Sequence, residues 1–109
     1  MAKLKFLSLD GLLEMMANKE SFKLVDVLPE EYYKDWHIPA AINIPAEKLG
    51  GLAKDHLKKT DTIIVYCANY ACHASTNAAS TLLRLGYKKV LDFKGGKKAW
   101  ELAGLDLEK

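Results

Sequence analysis

The sequence predicts an α/β domain in which a central parallel sheet is flanked by helices on both faces. Strand-like and helix-like patterns alternate along the chain with short breaks, which is the pattern of a parallel sheet with crossover helices. The segment Thr62–Tyr66 is apolar on both faces, as a buried central strand should be. The 109 residues, half of them hydrophobic, suffice for one domain with its own core, and we assign residues 1–109 to it.

The first elements follow from local signals. Ser8 is a helix cap, and the apolar stripe behind it predicts a helix through about Ala17. Leu24–Val27 is a short strand rich in β-branched residues, and Pro29 stops it. The same proline, followed by acidic residues, is typical of the first turn of a second helix.

The later elements continue the alternation. Residues 46–59 are interpreted as a glycine-interrupted loop followed by a short helix. Further strands are predicted over Ile42–Ile44, Thr62–Tyr66 and Lys89–Phe93, and further helices from Ala74 to Gly86 and from Lys97 to about Ala103.

Composition excludes several functional classes. The 16 basic and 14 acidic residues leave a net charge of +2, too small for a typical nucleic-acid-binding protein. No apolar run is long enough for a membrane helix or a signal peptide, so we expect a cytoplasmic protein that binds neither nucleic acid nor membrane. Two cysteines are too few for a secreted disulfide framework.

The chemistry is expected in the loop Cys67–His73, which joins the central strand to the next helix. Small residues in this loop allow the backbone to curl, so that its amides and the helix N-terminus face Cys67 and lower its thiol pKa. Cys67 is then the candidate nucleophile, although a small buried residue at a strand end is an equally good interpretation. The candidate substrate-binding residues are the rest of the loop: Ala68, Asn69, Tyr70, Ala71, Cys72 and His73.

Residues near the loop receive supporting roles. Asp26 ends a strand at the same sheet edge as Cys67 and is a candidate for shaping the loop through hydrogen bonds. His37 is expected to be structural, with one ring nitrogen bonded to a backbone carbonyl. No metal site is predicted, because Cys67, Cys72 and His73 lack the second ligand pair of a structural zinc site.

Four segments together resemble the single-domain rhodanese-like family. They are Leu24–Val27 with Glu30–Tyr32, His37–Pro45, Ile64–Cys67, and Leu85–Val90 leading to Gly95–Trp100. The resemblance implies a parallel sheet with flanking helices and a sulfurtransferase in which Cys67 takes a sulfane sulfur as a persulfide. It implies thiosulfate or a persulfide as the donor, a thiol or other nucleophile as the acceptor, and no cofactor. The partners are therefore expected to be small sulfur-containing substrates or persulfidated proteins.

The sequence departs from the family pattern in the same loop. An arginine is common at the fifth position after the cysteine, where this chain has Cys72, and the segment to the next helix is about two residues longer. Arg84, the only arginine, is expected on the following helix. Two alternatives stay open: a thiol redox protein that uses a Cys67–Cys72 disulfide, and a catalytically silent rhodanese-like binding module. A cysteine phosphatase is disfavoured, because His73 stands where its arginine is needed.

Overall fold

The fold is a five-stranded sheet in which every neighbouring pair of strands is parallel. A computed structural model describes residues 4–109, and the strand order is β1-β5-β4-β2-β3. The strands are β1 (Lys5–Phe6), β2 (Lys23–Asp26), β3 (Ile42–Asn43), β4 (Thr62–Tyr66) and β5 (Lys89–Asp92). The predicted α/β class with a parallel sheet is therefore confirmed.

Among the described residues, four helices connect successive strands and a fifth follows β5. They are α1 (Leu9–Ala17), α2 (Glu30–Asp35), α3 (Leu49–His56), α4 (Ala74–Arg84) and α5 (Gly96–Leu102), with a 3₁₀ turn over Ala46–Lys48. The Ser8 hydroxyl accepts a hydrogen bond from the Gly11 amide, as a helix cap should. The loop predicted after residue 46 is wrong in one respect, because Gly50 and Gly51 lie inside α3.

The core is divided by the sheet into two layers. Alternate residues of a strand point to opposite faces, so that Val25 and Val65 pack on one side and Ile64 and Tyr66 on the other. Side chains of α3 and α4 cover the first face, and those of α1 and α5 cover the second. Cys67 belongs to the layer under α4.

The sheet ends on both sides in very short strands. The outermost strands, β1 and β3, each contain two residues. The sequence analysis did not predict β1, whose two side chains are both exposed and therefore carry no apolar pattern. Within residues 4–109 we find no helix with the length and apolar character that crossing a membrane requires.

The start of α5 is packed directly against the end of β4. The amides of Lys97 and Lys98 donate to the carbonyl oxygens of Cys67 and Ala68 at 3.0 and 2.9 Å. Gly96 has a φ of +58°, and a Cβ atom there would clash with the Cys67 carbonyl group. The close approach therefore requires glycine at position 96.

This contact predicts a large effect of a small substitution. We expect Gly96→Ala to lower the free energy of unfolding by more than the ~1–2 kcal/mol that the left-handed conformation alone costs a residue with a side chain. Gly50→Ala is the matched control: its Cβ meets nothing within 4 Å, so it should stabilise α3 by about 0.5–1 kcal/mol. Urea denaturation measures both changes, and equal effects would contradict the assigned contact.

Candidate active site

Cys67 lies immediately beyond the carboxyl end of β4, and its side chain is completely buried. It is 0% exposed, and its Sγ lies 3.6 Å from the Ser75 hydroxyl oxygen and 3.6 Å from the Cys72 carbonyl oxygen. Ser75 is in the first turn of α4, so the helix begins directly over the thiol. The predicted arrangement of strand, cysteine loop and helix is present, but the sulfur is not open to solvent.

The environment of Cys67 favours the neutral thiol. Burial raises the pKa of Cys67, and the neighbouring Cys72 thiol raises it further. The hydroxyl and amide of Ser75 act in the opposite direction without reversing the shift. The lowered pKa predicted from the sequence is therefore wrong for the isolated, resting site.

The reason lies in where the loop amides point. The side-chain oxygen of Asn69 accepts hydrogen bonds from the amides of Ala71 and Cys72 at 2.9 and 3.2 Å. The Asn69 carbonyl also accepts from the Cys72 amide at 3.1 Å. These hydrogen bonds curl the loop around Asn69, so the amides of Ala71 and Cys72 do not form the expected anion-binding nest around Cys67.

Cys72 has the environment that was expected for Cys67. Its thiol is half-buried, and burial raises its pKa, but a hydrogen bond from Cys67 and the amides of Ala74 and Ala68 lower the pKa overall. The positive charge of Lys94 acts in the same direction. Cys72 is therefore the thiol of the loop that ionises more readily.

Two polar residues of the site were missed from the sequence. Lys94 follows β5, the neighbour of β4, and its Nζ donates to the Cys72 carbonyl at 2.6 Å. Its position just after a predicted strand was the available signal, because adjacent parallel strands end at one sheet edge. Ser75 gave a weaker signal, as a hydroxyl in the first turn of the helix after the loop.

The other loop residues lie at the surface. Tyr70 is 67% exposed and stands over Gly95, while Ala71 and His73 are also exposed. His73 directly precedes α4, and its side chain does not cap that helix. Residues 4–109 contain no group of three histidine, cysteine or carboxylate side chains that could hold a metal ion.

Ala68 and Asn69 border an open cavity of about 500 Å³. Its remaining lining is mixed apolar and charged: Leu28, Tyr32, Asp35, Trp36, Lys97, Lys98 and Glu101. Lys97 is tied down within it, because its Nζ donates to the Tyr32 carbonyl at 2.6 Å and lies 4.7 Å from the centre of the Trp36 ring. The cavity is thus large enough for a small molecule or a peptide segment beside the loop.

Asp26 lies under the neighbouring turn. Its Oδ1 accepts a hydrogen bond from the Leu28 amide at 2.9 Å, and burial raises its pKa despite this bond and the charge of Lys97. Asp26 therefore stabilises the turn after β2. A direct hydrogen bond between Asp26 and the Cys67–His73 loop is not observed. His37 is structural, with ring nitrogens 2.9 Å from the Tyr33 carbonyl and 3.1 Å from Glu108 Oε1.

Comparison with known proteins identifies the fold family. The family model described as "Rhodanese-like domain" matches residues 8–103. The chain belongs to the rhodanese-like family. A crystal structure of the BH2092 protein from Bacillus halodurans shares 32% identity at a TM-score of 0.87, covering 95% of this chain and 76% of that one. The solution structure of the rhodanese-like domain of Anabaena Alr3790 shares 30% identity at a TM-score of 0.85, covering 94% and 77%.

Relatives of this rhodanese-like domain have names from sulfur chemistry. A putative sulfur carrier protein, YrkF of Bacillus subtilis, is 30% identical over 94 residues, which cover 86% of this chain and 49% of that protein. A sulfurtransferase of Allochromatium vinosum is 28% identical over 98 residues, covering 90% and 89%. The chain covers 49% of YrkF and 42% of another relative, a transcriptional regulator of Mycobacterium tuberculosis, so it spans less than half the length of these two proteins. The similarity supports a rhodanese-like sulfurtransferase at the level of the family.

The different environments of the two thiols predict their order of reaction. We expect iodoacetamide at neutral pH to modify Cys72 at least about tenfold faster than Cys67, because Cys72 is more accessible and more readily ionised. The modification rate of Cys72 should also reach its plateau at a lower pH than that of a free thiol, whose pKa is about 8.5. Peptide mass mapping over a pH series measures both rates, and urea-unfolded protein, in which the two thiols should react alike, is the control. Faster modification of Cys67 would contradict this assignment.

Proposed function

We propose that this domain is a sulfurtransferase that carries a sulfane sulfur as a persulfide on Cys67. The observation that carries the proposal is the position of Cys67: it ends the central strand and lies against the first turn of α4, in a chain of the rhodanese-like family. The sulfurtransferase and sulfur-carrier names of two relatives support the same chemistry. The alternative interpretation, a buried cysteine with only a structural role, does not account for the Ser75 hydroxyl and the Cys72 carbonyl that contact the sulfur.

The proposed reaction has two displacement steps. The Cys67 thiolate attacks the outer sulfur of thiosulfate or of a persulfide, and the donor's sulfur–sulfur bond breaks with release of sulfite or a thiolate. An acceptor nucleophile then attacks the outer sulfur of the Cys67 persulfide, and Cys67 leaves as the thiolate. The Ser75 hydroxyl and amide are the groups placed to stabilise negative charge on Cys67 in both steps.

Site-directed variants test the nucleophile. In a Cys72→Ser protein, which removes the neighbouring thiol, loading with thiosulfate followed by cyanide should yield thiocyanate. Adding Cys67→Ser should reduce that yield by at least about a hundredfold, as loss of a nucleophile does in other enzymes. Thermal unfolding controls for the fold. Undiminished thiocyanate from the double variant would show that Cys67 is not the sulfur carrier.

We further propose that persulfides are better donors than thiosulfate. Thiosulfate is a dianion, and Arg84 lies in the last turn of α4, away from the loop. Lys94 and Lys97, which lie beside the loop, both donate to carbonyl oxygens, so neither supplies the two parallel hydrogen bonds that an arginine would offer. A missing charge-assisted hydrogen bond costs roughly 1.5–3 kcal/mol of binding free energy.

Steady-state kinetics test this donor preference. With a thiol acceptor, kcat/KM for glutathione persulfide should exceed that for thiosulfate by at least about tenfold, the factor that corresponds to 1.4 kcal/mol. Lys94→Gln should weaken the use of thiosulfate further, because the positive charge bonded to the loop at the Cys72 carbonyl is lost. Lys54→Gln, which removes an exposed charge on α3, is the matched control. Equal use of both donors by the unmodified protein would contradict the proposal.

The acceptors we propose are small thiols or protein thiols, reached at the loop surface beside the 500 Å³ cavity. Ala68, Asn69, Tyr70, Ala71, Cys72 and His73 remain the proposed substrate-contacting residues. Two free thiols within one loop suit a reducing compartment, and we propose the cytoplasm. The hydrogen bond between Cys67 and Cys72 favours thiol redox chemistry as the second candidate function.

A further inference from the structure

We propose a second activity of this loop, which rests on the proposed function: when Cys67 carries a persulfide, Cys72 attacks the Cys67 Sγ, closes an intraloop disulfide and releases hydrosulfide. The domain would then consume its own persulfide instead of passing the sulfur to an external acceptor. The proposal assigns Cys72 as a second reacting residue.

The loop brings the two cysteines together. The Cys67 Sγ lies 3.6 Å from the Cys72 carbonyl oxygen, and the two thiols are close enough for each to shift the pKa of the other. The Asn69 side chain holds the intervening residues in a tight turn. A disulfide requires a Cα separation of about 4.4–6.8 Å, and a turn that folds the Cys72 backbone onto the Cys67 sulfur suits this requirement.

Burial restricts which nucleophile can reach the persulfide. Cys67 is 0% exposed, and the Cys72 carbonyl lies directly against its sulfur. An external thiol has to enter past the loop, whereas Cys72 belongs to the loop and its backbone already contacts the Cys67 sulfur. The effective concentration of a neighbouring group in such a position far exceeds that of a dissolved reactant.

Cys72 also has the groups that a nucleophilic thiolate needs. The Lys94 ammonium group is bonded to the Cys72 carbonyl at 2.6 Å, and the amides of Ala74 and Ala68 together with the Lys94 charge lower the pKa of the Cys72 thiol. These contacts stabilise a negative charge on Cys72 before it attacks. Cys67, with its less readily ionised thiol, is the better target than attacker.

The choice between the two persulfide sulfurs follows from the leaving groups. Attack on the outer sulfur would expel the Cys67 thiolate, whose raised pKa makes it a poorer leaving group than hydrosulfide. Attack on the inner sulfur, which is the Cys67 Sγ itself, expels hydrosulfide. The inner sulfur is also the atom that the Cys72 carbonyl oxygen already contacts. Geometry and leaving-group ability therefore favour the same attack.

The atoms and electrons of this sequence balance. With thiosulfate as donor, the two protein thiols and thiosulfate give one protein disulfide, one sulfite and one hydrogen sulfide. The sulfur–sulfur bond of the persulfide breaks, the Cys67–Cys72 bond forms, and the sulfane sulfur is reduced to sulfide while the two cysteines are oxidised. Repeated turnover needs a dithiol reductant to reopen the disulfide, but the first turnover needs no further reagent.

A single-turnover experiment without reductant tests the proposal. Reduced, desalted protein is mixed with excess thiosulfate; sulfide is trapped with monobromobimane, and the intact mass is measured. The unmodified protein should release about one sulfide per chain and then stop, with a mass loss of two hydrogens, because the disulfide blocks a second cycle. Cys72→Ser and Cys72→Ala should release less than about a tenth of this sulfide and retain one added sulfur on Cys67.

The outcomes separate this activity from the proposed function. If the unmodified protein retains the added sulfur on Cys67 without releasing sulfide, the second activity is overturned while the sulfurtransferase proposal stands. Fragment mass analysis that finds the sulfur on Cys72 would show attack on the outer sulfur and overturn it equally. If neither the unmodified protein nor Cys72→Ser gains sulfur or releases sulfide, both proposals fail.

Discussion

The hydrogen bonds from the first amides of α5 to the carbonyl oxygens of Cys67 and Ala68 determine the geometry of the site. Strand β4 has no further partner beyond Tyr66, so its continuation into the loop needs an external support. The amides of Lys97 and Lys98 supply it, because a helix N-terminus has donors that its own backbone cannot satisfy. Gly96 permits this contact, and the positions of the Cys67 sulfur and of the loop that curls over it follow from it.

The structure separates two properties that a single reactive cysteine usually combines. Cys67 has the central, enclosed position, where burial outweighs the Ser75 groups that favour ionisation, whereas at Cys72 the groups that favour ionisation outweigh burial. The division arises from one side chain, Asn69, which bonds the amides that would otherwise surround the first thiol. Changes in this turn would therefore redistribute charge between the thiols without altering the sheet.

The fold was largely predictable because its signals are local. The apolar run Thr62–Tyr66, the Ser8 cap and Gly86, with its φ of +99°, each mark an element that the structure contains. The direction of the Cys67 pKa shift was not predictable, since it depends first on how deeply the thiol is buried and then on which acceptors the loop amides bond. Lys94 was missed because the sequence indicates which strands end at one sheet edge, but not which side chains from neighbouring strand ends meet there, as Lys94 and the Cys72 carbonyl do.

The two-residue strands at the margins of the sheet have a consequence for how this fold is used. A long outer strand presents a row of unpaired backbone groups on which another chain can add by edge pairing, with aggregation as the result. β1 and β3 leave very little of this template exposed. Such a sheet tolerates crowding beside other folded units, which fits the presence of similar domains within much longer polypeptides.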